Sequence, residues 1–394
     1  MAVWKDPVCG GEIMRYGHLE KAEIRLRTLS PVFIGSGESL TKKEYIFEDE
    51  SGTIHVPDLA RFTAFLSKRG LIAAFEEFVT HPHKNDLRAF LSEHKVGKKD
   101  YHSFVRYSVD AGEVAASERF RGLLLFVKGP DGYPYIPGSS VKGAIRTAIA
   151  ARLVQAGNYE RNVADIDRAI DDFRGRRRYL SYQTDALERK LFCRLNYTDP
   201  RNTDRIRWDN LVNDFMRGIQ ISDSSPIGFE NLTVCGKYDR KPDGFVNLLP
   251  IFRECLAPGT ETVFSMTMDL PVLAKAGIDV KFIKDALHSF ADMQYEYFDR
   301  HFASLLEDAD TAAKEGVDIV IGGGAGYATK TIMYPLVRPH QRALRMVGRM
   351  MTKQFSRHQH EKDATLFKVS PHMLKTTMYK GKYYQMGKCE VIFS

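Results

Sequence analysis

Two hydroxyl side chains and two cations stand close together in the segment DGYPYIPGSSVKGAIRTAIAARL, residues 131–153. Pro134, Pro137 and Gly138 predict that a strand ends in a turn here. The residues after them predict a helix that extends to about residue 155. Ser139 or Ser140 suits the N-cap of that helix. Lys142 and Arg146 are four residues apart and share a face near the same end. The helix start therefore predicts an anion site, with an ordinary capped connection as the alternative.

A second segment, IGGGAGYATKT, concentrates four glycines next to a lysine and a threonine: Gly322, Gly323, Gly324, Gly326, Lys330 and Thr331. The P-loop pattern fails because Thr329 stands where its second glycine is required, and the dinucleotide pattern G-x-G-x-x-G fails as well. We therefore predict no nucleotide hydrolysis. Backbone N–H groups of such a loop can still hold phosphate, and the alternative is a mobile loop.

A third feature is a row of cations at helical spacing, formed by Arg338, Arg342, Arg345, Arg349, Lys353 and Arg357. On a helix these side chains share one face, while apolar residues occupy the other. Such a stripe favours contact with a phosphate backbone, and the alternative is a solvated helix face. A further basic cluster, FRGRRRYLSY, lies at residues 173–182.

Groups for catalysis or metal binding are harder to assemble. His81 with His83 and His358 with His360 form two His-x-His pairs, but no third ligand has a diagnostic spacing. We expect these to be surface histidines. The hydrolase motifs G-x-S-x-G and H-E-x-x-H do not occur, and Asp223 is predicted to form a turn. The sequence therefore predicts no catalytic residue, no metal site and no cofactor.

Composition limits the class of partner. The chain has 394 residues, a net charge of +7 and 43% hydrophobic residues, values that suit a globular protein with a polyanionic partner. Five cysteines without any C-x-x-C favour a reducing compartment over a disulfide framework. We find neither a signal peptide nor a run of apolar residues long enough for a membrane span. We therefore expect a cytoplasmic protein.

Strands and helices must position these candidate anion-binding segments, and the spacing of apolar residues predicts such elements in both halves of the chain. A strand from residue 19 breaks at Gly35, Ser36 and Gly37, and further strands resume at residue 218. Each half shows a strand, a helix, more strands and a glycine-rich element. We predict an α+β protein of two ferredoxin-like units. The expected divisions are an N-terminal unit at 1–156, a charged helical insertion at 157–217 and a C-terminal unit at 218–394.

Five segments together resemble the RAMP superfamily of CRISPR RNA-binding proteins: SPVFIGSGE, YIPGSSVKGAIRTAI, IQISDSS, IGGGAGYATKT and the closing YYQMGKCEVIF. The proline-glycine-serine-serine element is the most specific of them. Segment order and length resemble the fifth-subunit family of type III-A Csm effector complexes. The resemblance spans most of the chain and is weakest between residues 157 and 217.

The resemblance implies a fold, a role and a site. RAMP proteins carry one or two ferredoxin-like, RRM-like domains with a glycine-rich loop. The resemblance implies a non-catalytic subunit that holds the 3′ part of the CRISPR RNA and helps its maturation. Its partners would be the neighbouring backbone Csm subunit and other Csm proteins, with target RNA a further possible contact. The three glycine- or serine-rich elements described above would line the RNA groove, and Tyr133 or Tyr327 would stack on bases.

Two alternatives stay open at this point. One is a RAMP endoribonuclease that processes the CRISPR precursor, which would need a general base such as His18, His55 or His102. The other is a different Csm or Cmr subunit at another place in a similar complex.

Overall fold

The structure is a computed structural model, and it describes residues 4–5, 12–13, 15–83, 86–113, 117, 120, 122–172, 179–199, 201–206, 210–305 and 317–394. Its strands are β1 (Trp4–Lys5), β2 (Glu12–Ile13), β3 (Arg15–Tyr16), β4 (Leu19–Thr28), β5 (Gly35–Thr41), β6 (Ile46–Glu48), β7 (Thr53–Pro57), β8 (Val105–Asp110), β9 (Gly122–Phe126), β10 (Thr198–Asp199), β11 (Asn202–Ile206), β12 (Ile219–Ile221), β13 (Leu232–Arg240), β14 (Val246–Leu256), β15 (Glu261–Asp269), β16 (Val317–Val320), β17 (Leu374–Tyr379), β18 (Lys382–Gln385) and β19 (Lys388–Phe393).

The helices are α1 (Leu59–Lys68), α2 (Ile72–Thr80), α3 (Leu87–Glu93), α4 (Gly138–Ala156), α5 (Glu160–Asp171), α6 (Ser181–Phe192), α7 (Leu270–Ala276), α8 (Val280–Tyr297), α9 (Met333–Leu336), α10 (His340–Gln354) and α11 (Asp363–Leu366). The predicted α+β class is confirmed. Within the described ranges, no helix combines the length and the apolar character that crossing a membrane requires.

A six-stranded sheet joins the beginning and the end of the chain. Its order is β12–β15–β4–β19–β16, with β3 beside β4, and its neighbours are antiparallel. Along β4, Ile24, Leu26 and Thr28 are buried while Arg25 and Arg27 are exposed, because successive side chains point to opposite faces. Helices α4 and α8 pack together over this sheet. The chain order β4–α4–β12–β15–α8–β16 is the β-α-β-β-α-β order of a ferredoxin-like unit.

A nine-stranded sheet is built around the long hairpin β13–β14. Its order is β5–β9–β14–β13–β8–β7–β6, and the hairpin β17–β18 pairs with β13. The pairs β14–β9 and β13–β8 are parallel, and the others are antiparallel. Helices α1 to α3 form a separate small core beside this sheet, around Phe62, Phe78, Phe90 and Phe104.

The predicted boundaries at residues 156 and 217 do not separate the two sheets. Each sheet takes strands from both sides of these positions, since β4 lies between β15 and β19, and β14 lies between β9 and β13. Only one unit with ferredoxin-like order is evident among the described strands, and a second stays a prediction. The segment 157–217 contains α5 and α6, whose buried faces join the main core. The basic cluster of residues 173–182 lies largely outside the described residues, which omit 173–178.

Helix α4 begins in a way that the sequence did not predict. The N-cap position is Pro137, and neither Ser139 nor Ser140 makes a side-chain cap bond. The Gly138 N–H instead donates to Oδ1 of Asp223 at 2.9 Å. A Cβ atom at Gly138 would collide with the carbonyl oxygen of Ser222, so glycine permits this close approach. The predicted turn aspartate therefore supplies the anionic partner of the helix start.

Replacing Asp223 with Ala removes this partner of the Gly138 N–H. We expect the free energy of unfolding to fall by about 1 kcal/mol, as for the loss of a helix cap. Ser139→Ala is the matched control and should change stability within measurement error, because the Ser139 hydroxyl makes no cap bond. Urea denaturation of both variants checks the assignment. Equal losses, or a loss only in Ser139→Ala, would contradict it.

Candidate phosphate-binding site

The glycine-rich loop follows β16 directly and needs glycine at defined positions. Gly322, Gly324 and Gly326 have φ values of 81°, 91° and 89°, in the left-handed region that other residues rarely adopt. The Gly323 N–H donates to the Phe33 carbonyl at 2.7 Å. A Cβ atom at Gly322 would collide with that same carbonyl oxygen. The loop is therefore closely apposed to the chain that leaves β4.

The loop also bridges the two sheets. It leaves the six-stranded sheet at β16 and reaches residues of β14 and β17 in the nine-stranded sheet. A Cβ atom at Gly324 would collide with Nη1 of Arg253, and one at Gly326 would lie 3.4 Å from Cγ of Lys375. Two of the four glycines thus give cations from the second sheet direct access to the loop backbone.

Arg253 is the most unusual of these cations. Its side chain lies in β14, only 9% of the residue is exposed, and the Phe33 ring is 5.1 Å from the guanidinium carbon. Nη1 lies 3.4 Å from the Met386 sulfur, while Nε is buried without a hydrogen-bond partner. No carboxylate of the described residues forms an ion pair with it. Burial lowers the pKa of Arg253, partly offset by the Cys255 and Cys235 thiols. A buried and unpaired guanidinium is costly unless an anion binds it.

Three lysines extend this positive charge. Burial lowers the pKa of Lys237, and repulsion from Lys375 and Arg253 lowers it further, against the attraction of Asp239. Lys375 forms an ion pair with Asp239 at 2.8 Å. From the loop itself, the exposed Lys330 donates to the Gly322 carbonyl at 3.1 Å. We call Lys237, Arg253, Lys330 and Lys375 the glycine-loop cations. An anion would relieve the repulsion that Lys375 and Arg253 exert on Lys237, so the arrangement suits a phosphate.

Three of the glycine-loop cations were missed by the sequence analysis. Lys237 and Lys375 are isolated charges on separate strands, and only strand pairing brings them to the loop. Arg253 could have been identified from the sequence, because it interrupts the mainly apolar segment LLPIFRECL, which predicts a buried strand. A charged residue within such a run is more informative than one in a basic stretch.

The predicted turn at Gly35, Ser36 and Gly37 is the exposed, irregular start of β5. The register with β9 shifts between Gly35 and Ser39, as in a β-bulge, and Gly37 has a φ of 91°. The Glu38 N–H donates to the Ser36 hydroxyl at 3.1 Å. Since Phe33 contacts the glycine-rich loop, the structure brings two of the three predicted glycine- or serine-rich elements together.

The cations of α4 are placed differently from the prediction. Arg146 forms ion pairs with Asp214 at 2.8 Å and Glu188 at 3.1 Å, and it stacks on the Phe192 ring. It therefore ties α4 to the 157–217 segment instead of facing an open groove. Burial lowers the pKa of Lys142, an effect that Asp214 opposes and Arg146 strengthens. Among the predicted anion-binding residues Ser139, Ser140, Lys142 and Arg146, only Ser139 is exposed.

The predicted cationic stripe is mostly an interhelical contact. On α10, Arg342 pairs with Glu160, and Arg349 pairs with Asp167 and Asp171 of α5. Arg338 donates to a backbone carbonyl of α4, that of Gln155, at 3.0 Å. The expectation of a continuous phosphate-binding face is wrong for Arg342 and Arg349, because acidic residues of the 157–217 segment neutralise them. Arg345, Lys353 and Arg357 are exposed.

The aromatic side chains proposed for base stacking differ in exposure. Burial raises the pKa of Tyr327, whose hydroxyl accepts a hydrogen bond from Thr331 at 2.8 Å. Thr331 is itself buried, so the end of the predicted loop site faces the protein interior. Tyr133 is 45% exposed and stacks on Phe229. Tyr133 thus has an accessible ring, whereas Tyr327 holds the loop in place.

The histidines considered as general bases lie on separate elements. His18 precedes β4 and lies 4.0 Å from Asp269, whereas His55 of β7 is 2.7 Å from the Ser108 hydroxyl. His102 belongs to a 3-10 helix next to the small helical core. The structure therefore does not assemble them into one acid–base group. The prediction of surface histidines is wrong for His360, which is buried, while His358 and His83 are exposed.

The sequence is similar to a known protein family and to several of its characterised members. The model of the RAMP superfamily matches residues 25–327, which include the end of β4, all of α4 and the four glycines of the glycine-rich loop. The CRISPR system Cms protein Csm5 of Mycobacterium tuberculosis is 29% identical, over 95% of this chain and 98% of the relative. Csm5 of Enterococcus italicus is 24% identical, over 94% of this chain and 97% of the relative. The chain thus resembles Csm5 proteins along nearly its whole length.

Solved structures share the fold at lower identity. The crystal structure of T. onnurineus Csm5 matches with a TM-score of 0.60 and 20% identity, covering 93% of this chain and 99% of that chain. A chain in the cryo-EM structure of a Csm-crRNA-target RNA ternary complex of a type III-A CRISPR-Cas system has the same score and identity, covering 94% and 100%.

The unpaired guanidinium predicts a measurable effect on stability. Replacing Arg253 with Met removes a buried charge that has no ion-pair partner, so we expect the free energy of unfolding to rise by about 1 kcal/mol without ligand. Arg342→Met removes an exposed cation that already pairs with Glu160 and should leave stability equal or slightly lower. Thermal denaturation of both variants checks this. Marked destabilisation by Arg253→Met would show that Arg253 has a structural role instead.

Proposed function

This chain belongs to the RAMP superfamily, and on that premise we propose that it is a non-catalytic RNA-binding subunit of a type III-A CRISPR effector complex. In this proposal it holds the 3′ part of the CRISPR RNA and aids maturation of that RNA and assembly of the complex. The observation that carries the proposal is the buried, unpaired Arg253 beneath the glycine-rich loop. The resemblance to Csm5 proteins specifies the type of complex.

The chemistry of the site suits the backbone of RNA better than its bases. Guanidinium, ammonium and backbone N–H groups bind phosphate oxygens, and those contacts carry no sequence information. A guide-binding subunit must accept every spacer sequence, so recognition through the backbone fits this need. The bridging position of the loop would let one RNA strand contact both sheets. We retain the second ferredoxin-like unit, in the nine-stranded sheet, as part of the same proposal.

The partners follow from the same premise. We propose contacts with the neighbouring backbone Csm subunit and with other Csm proteins, and the ternary complex with target RNA supports this placement through its shared fold. Ser139, the Gly35–Gly37 bulge and Tyr133 are exposed and would flank the RNA. Arg345 would supply an accessible cation of α10, since Arg342 and Arg349 already pair with α5.

The glycine-loop cations predict how RNA binding depends on salt. The double variant Lys237→Met/Arg253→Met should bind RNAs of different sequence with about equally reduced affinity. Loss of two phosphate contacts to a single strand should reduce the slope of log K against log salt by about 1.4. Arg342→Met/Arg349→Met removes the same charge from ion-paired positions and should keep the original slope. Fluorescence anisotropy titrations between low and moderate salt measure both. Equal slopes in the two double variants would contradict the site assignment.

The function itself is tested by the RNA that accompanies the protein. The chain is isolated from its own host under gentle conditions, and both ends of the bound RNA are sequenced. We expect guide RNAs with spacer-derived 3′ ends, together with other Csm proteins. Cleaved repeat fragments without partner proteins would identify a processing nuclease instead. Unrelated cellular RNA would leave only a general RNA-binding protein and would contradict the proposal.

A further inference from the structure

A compact polar cluster lies between α10 and β17. His360, Asp363 and His372 are 4%, 1% and 4% exposed. The two ring Nδ1 atoms approach opposite oxygens of one carboxylate, His360 at 3.0 Å from Oδ2 and His372 at 2.6 Å from Oδ1. The Ser370 hydroxyl donates to Oδ2 at 2.8 Å. Three side chains thus converge on the carboxylate of Asp363.

The charge of this cluster is not compensated by a permanent cation. A carboxylate that accepts several hydrogen bonds is held in its ionised form. Among the described residues, only the two histidines lie within ion-pair distance of Asp363. Neutral imidazoles can solvate a buried negative charge but do not neutralise it, whereas a bound metal ion does both. One potential ligand atom from each of the three residues lies within 4.8 Å of the others.

A third imidazole reaches the cluster from the solvent side. The rings of His358 and His360 stack with centroids 5.8 Å apart and planes at 22°. The residue between them, Gln359, has a φ of 53°, in the left-handed region that is strained for a non-glycine residue. This turn places the two rings side by side. Since His358 is exposed, its side chain lies on the solvent side of the buried group, on an entry path for an ion.

We propose that His358, His360, Asp363 and His372 form a binding site for one divalent transition-metal ion of the Zn²⁺ class. Three imidazole nitrogens and one carboxylate oxygen match the four-coordinate preference of Zn²⁺, whereas Mg²⁺ and Ca²⁺ prefer oxygen ligands. Metal binding replaces the hydrogen bonds from the two buried rings to Asp363, and each ring keeps its one proton on the nitrogen that does not bind the metal.

The site would have a structural role. His372 lies two residues before β17, the strand that carries Lys375. A metal ion would fix the chain between α10 and this strand and would hold Lys375 beneath the glycine-rich loop. The metal ligands are a different set of side chains from the glycine-loop cations, so metal binding and RNA binding can be measured separately.

The test uses the untagged full chain after treatment with a chelator. Titration with Zn²⁺, followed by desalting and elemental analysis, should give one metal ion per chain and a higher melting temperature. Co²⁺ should produce the visible absorption of a four-coordinate site with nitrogen ligands. Asp363→Asn should abolish binding. His358→Ala should weaken metal binding by at least about tenfold. Losing a residue that only hydrogen-bonds to a metal ligand already lowers metal affinity by that much.

A matched control is available in the same chain. His81 and His83 form the other His-x-His pair, with ring centroids 5.9 Å apart, and their double replacement by Ala should leave binding unchanged. If Asp363→Asn does not fold, the exposed His358→Ala variant decides the question. Binding of no metal by the chelator-treated chain would show that the cluster is a hydrogen-bond network only. Equal affinity in His358→Ala and the parent chain would contradict the four-ligand site.

Discussion

The position of β4 between β15 and β19 is the constraint on which the rest of the molecule depends. β4 comes from the first thirty residues, whereas its two neighbours come from the second half of the chain. These antiparallel ladders bring Phe33, just beyond β4, next to the loop that follows β16. Without that arrangement, the glycine-rich loop would have neither its backbone partner nor its access to Arg253. The candidate site is therefore a product of long-range strand pairing.

Electrostatics explains why such a site is compatible with a stable fold. Several arginines outside the site have acidic partners. Arg146, Arg342 and Arg349 all pair with acids, and their pairing attaches the 157–217 segment to α4 and α10. Arg253 is buried without one, next to two lysines. The unsatisfied charge is concentrated at one position beneath a loop whose backbone is also suited to anions. A local deficit of negative charge around a buried cation is typical of a binding site.

The sequence predicted what depends on local chemistry. The glycine-rich loop, the alternation of β4 and the helix beginning near Gly138 are all legible in short segments, and the structure contains each of them. Contacts between distant residues were not predictable in the same way. The Asp223 cap of α4, the α5 partners of the stripe and the approach of Arg253 to Gly324 all join residues far apart in the chain. The predicted boundaries at residues 156 and 217 do not coincide with the division between the sheets for the same reason, because linear order does not reveal which strands pair.

The central claim is that the RNA backbone lies between the glycine-rich loop and the cations of β13, β14 and β17. Ultraviolet crosslinking of CRISPR RNA in the assembled complex, followed by mass spectrometry of the crosslinked peptides, tests it most directly. The account predicts crosslinks in peptides that contain residues 322–330 and in those around Phe33 and Lys375, from nucleotides in the 3′ part of the RNA. Crosslinks confined to the exposed face of α10, with none at the glycine-rich loop, would contradict it.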